Sequence, residues 1–382
     1  MPAAWAGERI RTSRQLFGLS QTELAEATGF SQAMISAVEA GTRPCSDELV
    51  GAVVTATGIP ARFFDVAAMD LPPGTLRYRK LASARVSDTK RVQALLGEAY
   101  RVTVDMFSEA RLMPPRLFQL DQGPTLTADE IEAAAAQVRG ALGIGADGPI
   151  AHVTRRCEKA GVAVVPLNLP NADAEESETV GHFGASCWPS AGEAAVIGVF
   201  PGGAGDRQRF TVAHELGHLV LHGRRRIVDD PEGEANRFAG ALLMPAHRME
   251  EALGVGAVNL RDLAQMKARW GISIQALIMR GAHLGLIDES RKVSLYKQLS
   301  ARGWRKSEPV PVGREEPALM WELLRKRFGD NPYQRAADEL GLPVLLLRSL
   351  APAPASPGPK APSRKAPDGD GGGSVPRRIG LA

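Results

Sequence analysis

The sequence reads as a mainly α protein with an α+β centre. It predicts an N-terminal five-helix helix-turn-helix domain, a central α+β domain with a small sheet and a His-Glu-x-x-His helix, a helical C-terminal region and a disordered tail. Three observations predict this. Helix caps and glycine stops recur at short intervals over residues 1–65, apolar β-branched runs stand between helical stretches in the middle, and Pro, Ala and Gly take over from Ala351.

With 382 residues the chain is long enough for two or three domains, each with its own core. The 46 Lys and Arg stand against 43 Asp and Glu, so a bulk nucleic-acid coat is excluded and any contact with DNA is local. Cys45, Cys157 and Cys187 are far apart and lack C-x-x-C spacing. They form neither a disulfide framework nor a cysteine zinc site, and read as buried thiols in a reducing compartment. "MPAAWAGERI" lacks the charged start and apolar run of a secretion signal, and no apolar stretch approaches the roughly 18 residues of a membrane span. A cytoplasmic protein without membrane contact is expected.

The first helix ends near Gly18. Ser20 opens a second, with Glu23 completing a capping box and Leu24 and Ala25 facing inward. Gly29 breaks it, and Ser31 caps a third helix that runs through Ala40 and buries Met34, Ile35 and Val38. After Gly41 a fourth runs from Ser46 to Thr57. Short helices with a glycine turn between the second and third make a helix-turn-helix.

Val92, Leu95, Leu96, Ala99, Val102 and Met106 recur at helical spacing and predict one long connecting helix. A capped helix follows from Thr127, and another near "IAHVTRRCEKAG". "VAVVPLNL" and "AAVIGVF" read as strands, with "GHFGASCW" a weaker third. Weaker helices are expected at 290–300, 316–328 and 333–348. The resulting division is 1–66 helix-turn-helix, 67–124 helical connector, 125–290 central α+β domain, 291–350 helical C-terminal region and 351–382 disordered tail.

In "RFTVAHELGHLVLHG", His214 and His218 lie four residues apart, hence on one helical face, where two imidazoles can meet one ion. Glu215 reaches the same side and suits proton transfer from water. Zinc fits, because imidazole and carboxylate are its usual ligands. The alternative is an ordinary helix that happens to carry histidines. Phe210, Val212, Ala213, Leu216 and Leu219 bury the rest of the helix, and Gly217 is expected to leave room beside the metal.

A third ligand comes from "DDPEGEANRFAGALLMP", where Asp230 caps, Pro231 takes the first helical position, and Glu232 and Glu234 fall in the first turn. Glu232 is preferred, with Glu234 as the alternative; the competing role for either is to complement the helix dipole. Asn236, four residues after Glu232, can hold a ligand histidine from behind. His222 is rotated about 80° from His214 around the helix, so it reads as a supporting residue rather than a ligand. His182, His222 and His247 are candidates for oxyanion stabilisation by residue type alone.

Two resemblances follow from these segments. "LSQTELAEATGFSQAMISAVEAGTRPCS" resembles XRE-type, phage-repressor-like domains. "RQRFTVAHELGHLVLHG", "EGEANRFAGALLMP" and "WGISIQALIMRGAHLGLI" resemble the ImmA/IrrE family of zinc metallopeptidases, whose members are often fused to such a domain. The resemblance implies a gluzincin-like fold, with His214 and His218 as zinc ligands, Glu215 as general base and a glutamate of "EGEANRFA" as third ligand. It further implies cleavage of a repressor protein that derepresses stress-response or mobile-element genes. The alternatives are an XRE-family transcriptional regulator whose metallopeptidase-like domain serves as a sensor, and a toxin-antitoxin component.

By the usual docking, the third helix would present Gln32, Ala33 and Ser36 to bases, with Gln21, Thr42 and Arg43 reaching phosphates. Residues 1–65 nevertheless hold five Arg against seven Asp or Glu, a departure from a basic footprint. Either the domain binds DNA as a homodimer, or it recognises a protein such as a repressor of similar fold.

Overall fold

The computed structural model describes residues 5–69, 76–80, 86–168, 182–190, 192–225, 227–254 and 258–354. The tail expected to be disordered lies, from residue 355 onward, outside the described residues.

The N-terminal unit comprises α1 (Ala6–Leu16), α2 (Gln21–Thr28), α3 (Gln32–Glu39) and α4 (Asp47–Thr57), closed by a 3-10 turn at Ala61–Asp65. The caps act as their residue types require. Ser20 Oγ accepts from Glu23 N at 3.1 Å while Ser20 N donates to Glu23 Oε2 at 2.7 Å. Ser31 and Ser46 accept from Met34 N and Leu49 N. Gly29 ends α2 at φ +74°, a left-handed conformation that a side chain would resist. Leu24, Ala25, Ile35 and Val38 are buried, whereas Met34 is only half-buried.

After β1 (Leu76–Lys80) comes the long helix α5 (Val86–Ala110). Then follow α6 (Ala128–Ala141), α7 (Val153–Lys159), β2 (Val162–Pro166), β3 (His182–Cys187), β4 (Ala195–Val199) and α8 (Gly205–His222). Next are α9 (Pro231–Leu243), α10 (Ala246–Leu253), α11 (Leu260–Trp270), α12 (Ile274–His283) and α13 (Glu289–Ala301). The last are α14 (Leu319–Phe328), α15 (Pro332–Leu340) and α16 (Val344–Leu350). One helix was expected at 333–348. Gly341 at φ +65° and Pro343 at the start of α16 divide it in two.

The sheet has the order β1-β3-β4-β2, with β2 and β4 parallel and the other pairs antiparallel. Its fourth strand, "LRYRK", lies in the connector and pairs Leu76 with Cys187 at the sheet edge. Its alternation, Leu76 and Tyr78 against Arg77 and Arg79, spans too few residues to announce a strand on its own. β4 and its neighbour β2, at the opposite edge from β1, are buried on both faces, which is why they read as unbroken apolar runs.

Alternate residues feed two cores. Ala163, Val165, Ala185 and Val196 join one formed with α5, the helix-turn-helix unit and α14–α16. Val162, Val164, Ala195 and Ile197 join another formed with α6–α13. The C-terminal helices therefore return to the first domain. A buried ionic knot ties that seam. Arg9, fully buried, meets Glu98 of α5 and donates to the Phe63 carbonyl at 2.9 Å. Arg101 bonds Glu98 at 2.9 Å and the Leu340 carbonyl at 2.9 Å. Burial alone would raise the Glu98 carboxyl, but Arg101 and Arg9 outweigh it and hold it below its ordinary range.

A candidate metal centre

Every residue of α8 from Thr211 to His222 is buried, so the helix is enclosed on all sides. Its histidines are sited by that enclosure rather than by a solvent-facing stripe. α9 begins as expected: Asp230 accepts from Gly233 N at 2.9 Å and Pro231 occupies the first turn. Glu232, in the same turn, reaches over α8 with its side chain 52% exposed.

His214, His218 and Glu232 offer ligand atoms that all lie within 4.8 Å of one another. His214 Nε2 is 3.4 Å from Glu232 Oε2, His218 Nε2 is 3.3 Å from Glu232 Oε1, and the two Nε2 atoms are 3.0 Å apart. Burial pushes the Glu232 carboxyl up, but when His214 and His218 are protonated their Nε2–H groups and charge win and hold it well below the usual carboxylate range; in the neutral rings those same atoms are free for an ion. Two imidazoles and one carboxylate, two of them buried, are a donor set that suits zinc.

The far nitrogens decide the tautomers. His214 Nδ1 lies 3.0 Å from Asn236 Oδ1, a carbonyl oxygen that only accepts, so Nδ1 carries the proton. His218 Nδ1 lies 2.8 Å from His222 Nδ1, and His222 Nε2 lies 3.1 Å from Glu234 Oε2. The Glu234 carboxylate accepts from His222 Nε2–H, which leaves His222 Nδ1 as an acceptor for His218 Nδ1–H. Both ligand candidates then present a lone pair at Nε2, towards Glu232.

Glu234, the alternative third ligand, is turned away from this cluster. It is buried, ion-paired with Arg225, and accepts from Leu126 N at 2.9 Å and from His222. Glu215 is fully buried beside β3, where Ser186 Oγ donates to its Oε2 at 2.8 Å. Gly184 makes room for it, because a Cβ there would stand 2.7 Å from Glu215 Oε1 and 2.6 Å from Thr211 Cγ2. Gly217 does not leave room beside the metal cluster as expected. A Cβ at Gly217 would meet the Phe238 ring at 3.0 Å, so this glycine serves the packing of α9 on α8.

Ser186, Gly184 and Arg225 were not found from the sequence. The one signal was a pair of small residues two apart in "GHFGASCW", hence on one face of a strand. His247 pairs with Asp147 at 2.7 Å, and the His182 side chain lies outside the described residues.

In the helix-turn-helix unit, Gln32, Ala33, Thr42 and Arg43 are exposed and Ser36 half-buried. Gln21 and Gln32 bond each other at 2.8 Å, and Gln21 also donates to Glu39 at 2.9 Å. Thr42 donates to the Ala37 carbonyl at 3.0 Å. Glu39 is further held by Arg14 at 2.6 Å, and Arg9 is spent on Glu98, so these arginines serve the fold rather than the surface.

Site and fold together define a metallopeptidase-like domain preceded by a DNA-binding-type helix-turn-helix. Comparison with known families gives the same pair. Residues 157–280 match the peptidase family described as the IrrE N-terminal-like domain, and residues 10–64 match the family described as helix-turn-helix. The chain is thus a fusion of an XRE-type helix-turn-helix domain with a C-terminal ImmA/IrrE-like domain. No curated protein matches it. Among the described residues no helix is long and apolar enough to cross a membrane.

Proposed function

We propose that the chain is a zinc-dependent endopeptidase that cleaves a transcriptional repressor and thereby derepresses stress-response or mobile-element genes. His214, His218 and Glu232 would hold the ion, and Glu215 would be the general base. The observation that carries this reading is the convergence of two Nε2 lone pairs and one carboxylate beside a buried second carboxylate. When bound, zinc supplies Lewis acidity that acidifies water and polarises a carbonyl.

The chain's own residues supply the remainder. Asn236 and His222 fix the imidazole tautomers through Nδ1, so neither ring has to reorganise on binding. Ser186 Oγ–H holds Glu215 Oε2, which orients the carboxylate to take a proton from water and return it to the departing amine nitrogen. The enclosure of α8 keeps bulk solvent from the rear of the site.

One observation favours the regulator reading beside this one. The helix-turn-helix core is continuous with the sheet through α5, so a change at the sheet has a packed route to the DNA-binding unit. Coexpression with a repressor encoded nearby separates the two. Loss of repressor with the wild type and its survival with Glu215→Gln supports the peptidase, whereas equal loss with both refutes it. Mass spectrometry of the purified protein should find zinc in the wild type and not in His218→Ala; a zinc-free wild type would remove the site.

A further inference from the structure

A cavity of about 620 Å³ lies between α8, α9 and α12. None of His214, His218, Glu232 or Glu215 lines it, but Asn236 does. Asn236 therefore touches both the cavity and the Nδ1 of His214. Its volume is that of a small-molecule site, within roughly 300–1,000 Å³.

The lining is cationic beyond its own compensation. Its two carboxylates, Asp206 and Glu308, are both spent on buried Lys267, at 2.5 and 2.9 Å. Arg280 is paired with Glu132. That leaves Arg237, which reaches only the exposed Asp230 at 3.6 Å, together with Arg207, Arg305 and Lys306 at the rim. Among the described residues no carboxylate oxygen lies within 4.0 Å of the charged nitrogens of those last three. The positive field is felt inside: burial first, then Arg237, Arg280 and Lys292, push the His283 imidazole down. Phe210, Ala276, Met279 and Val312 add apolar wall.

We propose that this cavity binds a small organic anion with an apolar body, and that its occupancy is relayed to the metal centre through Asn236. Guanidinium groups take the anionic head and the apolar wall takes the body. Among the described residues, Asn236 Nδ2 makes no hydrogen bond. An acceptor bound there polarises the amide, makes Oδ1 a stronger acceptor for His214 Nδ1–H, and raises the basicity of Nε2. Anion and zinc then strengthen each other by the same factor. The site stands independently of the zinc assignment; the relay rests on it.

Calorimetric titration of the full chain with phenyl phosphate, benzoate and neutral benzyl alcohol, with zinc and after chelation, tests both parts. Saturable binding of phenyl phosphate alone indicates a phosphorylated ligand, of benzoate alone a carboxylate, and benzyl alcohol should not bind. Arg207→Ala combined with Arg237→Ala should weaken the anion about tenfold or more. The site is refuted if neither anion saturates below about 10 mM, or if the double variant binds like wild type. Binding that survives in the double variant only with zinc would put the probe on the metal and refute the cavity.

For the relay, zinc should tighten the anion about threefold in wild type. Asn236→Ala should weaken the zinc-free affinity about three- to tenfold, because it removes the Nδ2–H that meets the anion, and should abolish that zinc dependence. A zinc-independent wild type refutes the relay alone, and a chain that binds no zinc refutes the peptidase reading rather than the anion site.

Discussion

Replacing His222 with Leu removes the acceptor of His218 Nδ1–H while keeping apolar bulk in a pocket only 1% exposed. Water has no access to replace the 2.8 Å bond, so the orphaned donor costs about 1–3 kcal/mol. Because a proton on His218 Nδ1 is what leaves Nε2 free, that cost falls on the metal-binding tautomer, and zinc affinity should drop about 10- to 100-fold. Asn236 is half-buried, so water can take over from its amide oxygen. Asn236→Ala should therefore cost only about threefold. His222→Gln, whose amide oxygen can accept from His218, should recover most of the loss. Competition for zinc with a chromophoric chelator measures all three, and melting curves confirm that each variant is folded. Equal affinities in wild type and His222→Leu, or a larger effect from Asn236→Ala, would refute the tautomer argument.

Gly184→Ala should drive Glu215 Oε1 back by about 0.7 Å from its ordinary contact distance and lower repressor cleavage about 10- to 100-fold, with zinc affinity unchanged; undiminished cleavage would put Glu215 outside the reaction. Glu98→Gln leaves two buried guanidinium groups without their carboxylate and should destabilise the fold by about 3 kcal/mol at neutral pH. The folded Glu98 carboxyl lies below its unfolded value of about 4.3, so its contribution is complete above that pH and is lost as pH falls through the folded value. Wild-type and Glu98→Gln melting temperatures should therefore converge in acid, and a constant gap from pH 7 to pH about 3 would contradict the assignment. A gel shift on the protein's own upstream DNA should weaken on Gln32→Ala, by about 1–3 kcal/mol if the amide reads a base; an unchanged shift would remove base readout by α3.

Much of this was legible in residue order because local chemistry decides it. Ser20 with Glu23, Ser31, Ser46, Asp230 with Pro231 and the terminating glycines are signals acting within four residues, and they recur in place. The His214, His218 and Glu232 cluster was reachable because helical period and a first-turn carboxylate follow from spacing. What was not legible depended on contacts between distant segments. β1 is charged at alternate positions and becomes a strand only through β3. Ser186 and Gly184 acquire meaning only when β3 lies against α8. Gly217 looked like space for an ion and is space for Phe238, which spacing along one helix does not reveal.

The route by which the chain closes on itself bears on its synthesis. The face of the helix-turn-helix unit that meets α5 shares its core with Leu323, Leu324, Leu346 and Leu347. Arg101 completes its bonds only when the Leu340 carbonyl arrives. A ribosome makes Gln32 long before it makes Leu340, at roughly 5–20 residues per second. The recognition helix is therefore among the first parts translated, but the surface that supports it is among the last to be finished. A nascent chain that stops short of the last helices therefore lacks the finished core on which α3 rests.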